Sequence, residues 1–273
     1  MTAYIIDTGI LASHDEFEDR ATQEFNSAGG ANEDCHGHGT HVAGTVGSKT
    51  YGVANKVKLV GVKVLSCSGS GTWSSVIAGI DWVTANAKKP ATANISLAGG
   101  KSDAVNAAVK SLVNSGVTSI VAACNNNNMD SCLQTHANEA SAIVVASTTQ
   151  HKAQFYFSNR GSCVNIFAPG SDVKSPWIGS NSAIRTMSAT SMASPHVCGT
   201  VALYLGQDPN LSPTAVASRL LADSMLNARS RISNSMFIVG SSGKKQFTST
   251  LEVQEQVRIY CRDPANYDTT EYG

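Results

Sequence analysis

The sequence is short of charge. Only 15% of its 273 residues are charged, and 20 acidic side chains balance 20 basic ones to a formal net charge of zero. A nucleic-acid or acidic-membrane surface needs a concentrated basic patch, so neither is expected as a partner. No apolar run reaches the ~18 residues of a membrane-spanning helix. None of the seven cysteines forms a CxxC pair, which argues against a zinc ribbon or a thioredoxin-type motif. There is no internal repeat. There is also no basic leader followed by an apolar core and a cleavage site: Ala3-Tyr4-Ile5-Ile6 reads at once as a strand. Taken alone, this start fits either a cytosolic protein or a chain that begins inside a longer precursor.

What is present is enough apolar residue, 42%, for one large core. Strand-like runs fall at 3–6, 57–65, 93–97, 117–123, 142–147 and 163–168. Helix-like stretches fall at 38–47, 74–88, 102–115, 190–206 and 213–223. Ser102 can cap the third of these helices, with Val105, Ala108, Val109 and Leu112 on one face, and Ser212-Pro213 opens the fifth. The runs are rich in Val and Ile and apolar throughout rather than alternating. That predicts an α/β fold: a doubly wound, mainly parallel sheet with helices on both faces, its site at the carboxyl ends of the strands. Residues 1–240 are expected to form this domain. Residues 241–273 read as a tail or the start of an accessory β-domain, with Leu251, Val253, Val257 and Ile259 alternating as in one half-buried strand.

Four segments carry candidate chemistry. Asp7 follows a buried strand, where a plain turn before Gly9 is the competing reading. The run 34–47, DCHGHGTHVAGTVG, holds three histidines. His38 is a candidate general base, and Cys35, His36, His38 and His41 form a competing metal set. Ser191 falls in the first turn of a helical run, where a serine either caps or acts as a nucleophile favoured by the positive helix end. Pro195 is tolerable in such a turn. Asn125 opens four consecutive asparagines after a buried strand, either as plain loop or as an amide for a developing oxyanion. Cys35, Cys67, Cys132 and Cys163 lie in Gly-, Ser-, Asn- and Asp-rich segments that suit disulfides between loops. Cys124 and Cys198 lie in apolar runs, as buried thiols do.

DTG at 7–9, HGTHVAGTVG at 38–47 and TSMASPHV at 190–197, in the order Asp, His, Ser, resemble the signature boxes of subtilisin-like serine proteases. The likeness covers about residues 3–240. It is nearest to the proteinase K branch, where the cysteine placement and the runs at 64–83 and 157–172 are similar to aqualysin-type secreted enzymes. The resemblance implies an endopeptidase of broad specificity acting through an acyl-enzyme, with an apolar or aromatic residue preferred before the cut. Asp7, His38 and Ser191 would form the triad, with an oxyanion hole from Asn125 and the Ser191 N–H. The substrate would lie extended between Gly69-Ser70-Gly71 and Ser96-Leu97-Ala98-Gly99, with Trp73 and Cys124 bordering pockets. It further implies disulfides Cys35–Cys67 and Cys132–Cys163, secretion, a propeptide in a longer precursor with a start missing here, and a monomer. No cofactor would be needed for catalysis. A structural calcium would be held by Asp172 and the carbonyls of Ala140 and Ala142.

The sequence departs from the family pattern at Ala98, Cys124 and Ala189, each in place of a glycine, and at His136, in place of a proline. Wherever such a position needs positive φ, a β-carbon is disfavoured. Cys124 is expected to narrow the primary pocket toward small side chains. These losses motivate an alternative: a catalytically impaired pseudoenzyme acting as a binding module.

Overall fold

The computed structural model describes residues 1–151 and 153–224 and a two-residue strand, Met236–Phe237. The tail at 241–273, with its expected strand, lies outside the described residues. The predicted runs become β1 (Thr2–Asp7), β3 (Lys58–Lys63), β4 (Ala91–Ile95), β5 (Thr118–Ala122), β6 (Ile143–Thr148) and β7 (Ile166–Pro169). With β2 (Ala21–Asn26) and β10 (Met236–Phe237) they form one parallel sheet in the order β10-β7-β6-β5-β4-β1-β3-β2. A separate antiparallel hairpin joins β8 (Val173–Pro176) to β9 (Ile184–Met187).

Among the described residues five α-helices cover the sheet: α1 (His38–Gly47), α2 (Trp73–Asn86), α3 (Asp103–Asn114), α4 (Thr190–Gln207) and α5 (Pro213–Asp223). Their starts follow local chemistry. The hydroxyls of Thr72, Ser102 and Ser212 accept N–H bonds from Ser75, Val105 and Ala215, and Pro213 takes the first helical position of α5.

Side chains leave a strand on alternate faces. Ile5 therefore joins Val42, Val46, Val197, Val201 and Leu220 on the face covered by α1, α4 and α5. Tyr4 and Ile6 join Val76, Ile80, Val105 and Leu112 on the face covered by α2 and α3. The sheet is thus doubly wound, as expected. No helix among the described residues is long and apolar enough to cross a membrane.

β1 lies inside the sheet, between β4 and β3. The chain leaves it first toward β2 and β3, then returns to build β4 to β7 on the other side. The carboxyl end of β1 is therefore the point where strand order reverses, the usual place for a crevice in such sheets. Asp7 is the last residue of β1, and it is fully buried.

Candidate active site

The start of α1 is pressed against the end of β1. A β-carbon on Gly39 would sit 2.1 Å from the Gly9 carbonyl oxygen, so only glycine permits this approach. Gly37 caps the helix at φ 102°, a left-handed conformation that favours glycine. The result sets His38 Nδ1 2.8 and 3.0 Å from the two carboxylate oxygens of Asp7, one of which also accepts the Thr8 N–H at 2.7 Å.

Asp34, which sequence reasoning did not single out, organises this loop. One of its oxygens accepts from Thr8 Oγ1, His36 N and Gly37 N, the other from Thr40 N and Oγ1. A buried acid just ahead of the histidine run was the available signal.

Ser191 stands at the start of α4, in the first turn as expected, but Pro195 is the sixth residue of the helix rather than part of that turn. Proline has no N–H to give the carbonyl four residues back. The orphaned carbonyl belongs to Ser191, and the Ser96 hydroxyl donates to it at 3.0 Å. Ser96 is tied in turn to Ser194 and Asn94, and Ser194 donates to Asn94 at 3.0 Å. This buried network beneath Ser191 was not legible locally, because its members come from β4, the residue after it and α4.

Asn125 follows β5 and is almost fully buried. Its Oδ1 accepts the Thr190 N–H at 3.0 Å, next to Ser191, while its Nδ2 is buried without a protein hydrogen-bond partner. A buried amide donor left open next to a candidate nucleophile calls for an explanation.

His38 and Ser191 line one cleft of ≈ 570 Å³. Its walls include Gly69, Ser70, Gly71 and Trp73 on one side, and Ser96, Leu97, Ala98 and Gly99 on the other. Cys124 does not reach this cleft. It is fully buried, its Sγ 3.7 Å from the Leu97 carbonyl and 3.9 Å from that of Ala122. The imidazole of His136 approaches the same two carbonyls. Of the three replaced glycines, only Cys124 sits at positive φ, 69°; Ala98 does not, and Ala189 is extended at φ −166°. The expected backbone cost therefore falls on Cys124 alone.

The disulfides Cys35–Cys67 and Cys132–Cys163 both form, and Cys124 and Cys198 are buried thiols outside them. Burial pushes the Cys198 thiol up to about 12. The competing metal set is not assembled. Cys35 is in a disulfide, and His41 is fully buried with Nε2 on the carbonyls of Val173 and Arg185. Among the described residues no group of three or more His, Cys, Asp or Glu side chains is placed to hold a metal ion. Desolvation, and the nearby His38, hold His41 down to about 3, and desolvation holds His136 down to about 4. The half-buried His36 is also lowered, by burial first and by His38 second.

Fold and site together define a doubly wound α/β protein with an aspartate, a histidine and a serine gathered at the carboxyl edge of its sheet. The Subtilase family model matches residues 4–252, and the chain belongs to that family. It is 52% identical over 221 residues to an extracellular serine proteinase of Thermus sp. (strain Rt41A), covering 80% of this chain and 54% of that protein. It is 50% identical over 224 residues to alkaline serine exoprotease A of Vibrio alginolyticus, covering 81% and 41%. The chain thus spans about half the length of these relatives. A solved structure of a cold-adapted subtilisin-like serine proteinase superposes with a TM-score of 0.84 at 44% identity, covering 89% of each chain.

Proposed function

We propose that the chain is a serine endopeptidase working through an acyl-enzyme. The observation that carries this reading is the Asp7–His38 pair on the same cleft as Ser191. With Nδ1 committed to the carboxylate, Nε2 is the nitrogen left for proton traffic. Ser191 Oγ attacks the peptide carbonyl and its proton passes to His38 Nε2. The resulting oxyanion is taken by the Asn125 Nδ2 and the Ser191 N–H, which gives the open amide its partner. As the C–N bond breaks, His38 returns the proton to the leaving amine. Water then enters by the same base, and hydrolysis of the ester frees Ser191. Asp7 holds the imidazole and stabilises its cationic form without itself taking the proton.

The substrate lies as an extended strand between 69–71 and 96–99, so that backbone bonds give affinity and pockets give preference. Specificity is broad, for apolar or aromatic side chains before the cut. Two disulfides and a relative named as extracellular support secretion. A propeptide in the precursor and a monomeric mature enzyme complete the reading. A structural calcium on Asp172 with the carbonyls of Ala140 and Ala142 suits the donors, all of them hard oxygens.

The test is to react folded protein with a fluorophosphonate and map the adduct, with Ser191→Ala as control. Labelling confined to Ser191, together with casein hydrolysis, is expected. Folded protein that neither labels nor hydrolyses overturns the reading and favours the binding-module alternative, which the strained Cys124 next to Asn125 supports.

A further inference from the structure

Lys63 ends β3 and is wholly buried. Lysine is almost never fully buried unless it is paired. Yet it makes no direct ion pair among the described residues. Its Nζ donates to the Thr8 carbonyl at 2.8 Å and lies 3.6 Å from Cys35 Sγ. In the sheet its register partner is Asp7, whose carbonyl accepts the N–H of Val64, the residue after β3, at 2.8 Å.

Burial pulls the Lys63 ammonium below its ordinary value, against the attraction of three carboxylates: Asp34 and Asp7, which are buried, and the exposed Glu33. Asp7 is the partner of His38, and Asp34 shapes the loop that carries it. The titratable groups that face this cluster from α1 and the preceding loop are His36 and His38; beyond them, Arg185 of β9 acts on His36. Whenever His38 is neutral, Lys63 is the one buried lysine or arginine among the described residues that acts on these two carboxylates.

We propose that Lys63 is a positioning residue of the catalytic site, a fixed counter-charge beside Asp7 that helps set how tightly His38 holds a proton. This rests on the serine-protease reading. The physical argument is one of supply. A buried carboxylate without a compensating cation is costly. Without the Lys63 charge, the imidazolium of His38 is the cation next to Asp7, so protonation of His38 is favoured. With Lys63 present that need is partly met, and His38 stays free to act as a base at lower pH. Anchoring on the Thr8 carbonyl fixes the ammonium in place, whereas a solvent-exposed lysine would be screened.

The experiment compares Lys63→Met, Lys63→Gln and Lys63→Arg in the full chain. The pH profile of kcat/KM on a chromogenic peptide gives one readout. The NMR titration of the His38 ring in a Ser191→Ala background gives another that needs no turnover. In Met and Gln variants the acid limb and the ring titration are expected to move up together by roughly half to one pH unit. Lys63→Arg, which keeps the charge, should hold the midpoint near that of the parent. An unmoved midpoint in Met and Gln, whatever happens to the plateau rate, overturns the proposal and leaves Lys63 as packing. So does an equal shift in the Arg variant. If the parent itself fails to hydrolyse peptides, the serine-protease reading fails, while the ring titration still decides whether Lys63 governs His38.

Discussion

Two buried histidines make the fold sensitive to mild acid. His41 donates from Nε2 to the carbonyls of Val173 and Arg185, so its second nitrogen, Nδ1, must be the unprotonated one, and it is buried with no partner. Adding a proton there creates a cation in a dry place. His136 is likewise fully buried, its Nε2 without a partner. Their folded-state pKa values are held down to about 3 and about 4, by desolvation first in each case. In the unfolded chain both titrate near 6.5. Between these values the unfolded chain binds protons that the folded chain refuses, so stability falls as pH drops below about 6.5. Linkage gives a loss of about 2 kcal/mol per histidine at pH 5 and about 3 kcal/mol at pH 4. The summed loss at pH 4, about 6 kcal/mol, rivals the whole stability of many domains. The assay is urea unfolding of the Ser191→Ala protein, which cannot digest itself, from pH 7.5 to 4.5. The slope between pH 6 and 5 should approach two protons, about 2.7 kcal/mol per unit, and His136→Asn should roughly halve it, since asparagine tolerates the left-handed backbone at 136. A stability that stays flat from pH 7 to 5, or a slope untouched by His136→Asn, would refute the reasoning.

Other outcomes follow from the same geometry. Asn125→Ala should lower kcat about 100- to 1000-fold with a smaller change in KM, as the equivalent loss does in subtilisin, measured by steady-state kinetics. Cys124→Gly removes a left-handed backbone penalty of about 1–2 kcal/mol but also the thiol packed against the Leu97 and Ala122 carbonyls. Its urea midpoint should therefore change little, because the two effects oppose each other. Replacing either cysteine pair by serine opens loops of nearly equal length, with separations of 32 and 31 residues, so both should cost a similar ~3.7 kcal/mol in urea unfolding.

Much of the fold could be read from the sequence because the central strands are apolar on both faces. α1 and α5 fall where the run 38–47 and the Ser212-Pro213 start place them. β2 escaped notice because ATQEFN is a sheet-edge strand with mixed exposure, and β9 because IRTM is mostly exposed. Neither offers an apolar run. The residues Asp7, His38, Ser191 and Asn125 were legible as candidates because each follows a strand or opens a helix. What supports them was not. Lys63 reads as one charge in the run VKLVGVKVL, and nothing local says that it points inward beside Asp7. Asn94 and Ser194 look like ordinary polar residues, and Ser96 like part of a substrate segment alone, until the missing N–H of Pro195 leaves the Ser191 carbonyl in need of a donor. The replaced glycines at 98, 124 and 189 were legible, but only the φ of 69° at Cys124 shows which of the three carries a backbone cost.

The bond from Ser96 to the Ser191 carbonyl makes the cleft wall and the nucleophile parts of one lever. The segment 96–99 that a peptide would grip begins with the very residue that steadies the start of α4. A peptide that forces this segment aside tugs on Ser191 through a single hydroxyl, and displacements well under an ångström matter to an attacking oxygen. Poorly seated peptides should therefore be penalised twice, once in how long they stay and again in how fast they react while they do.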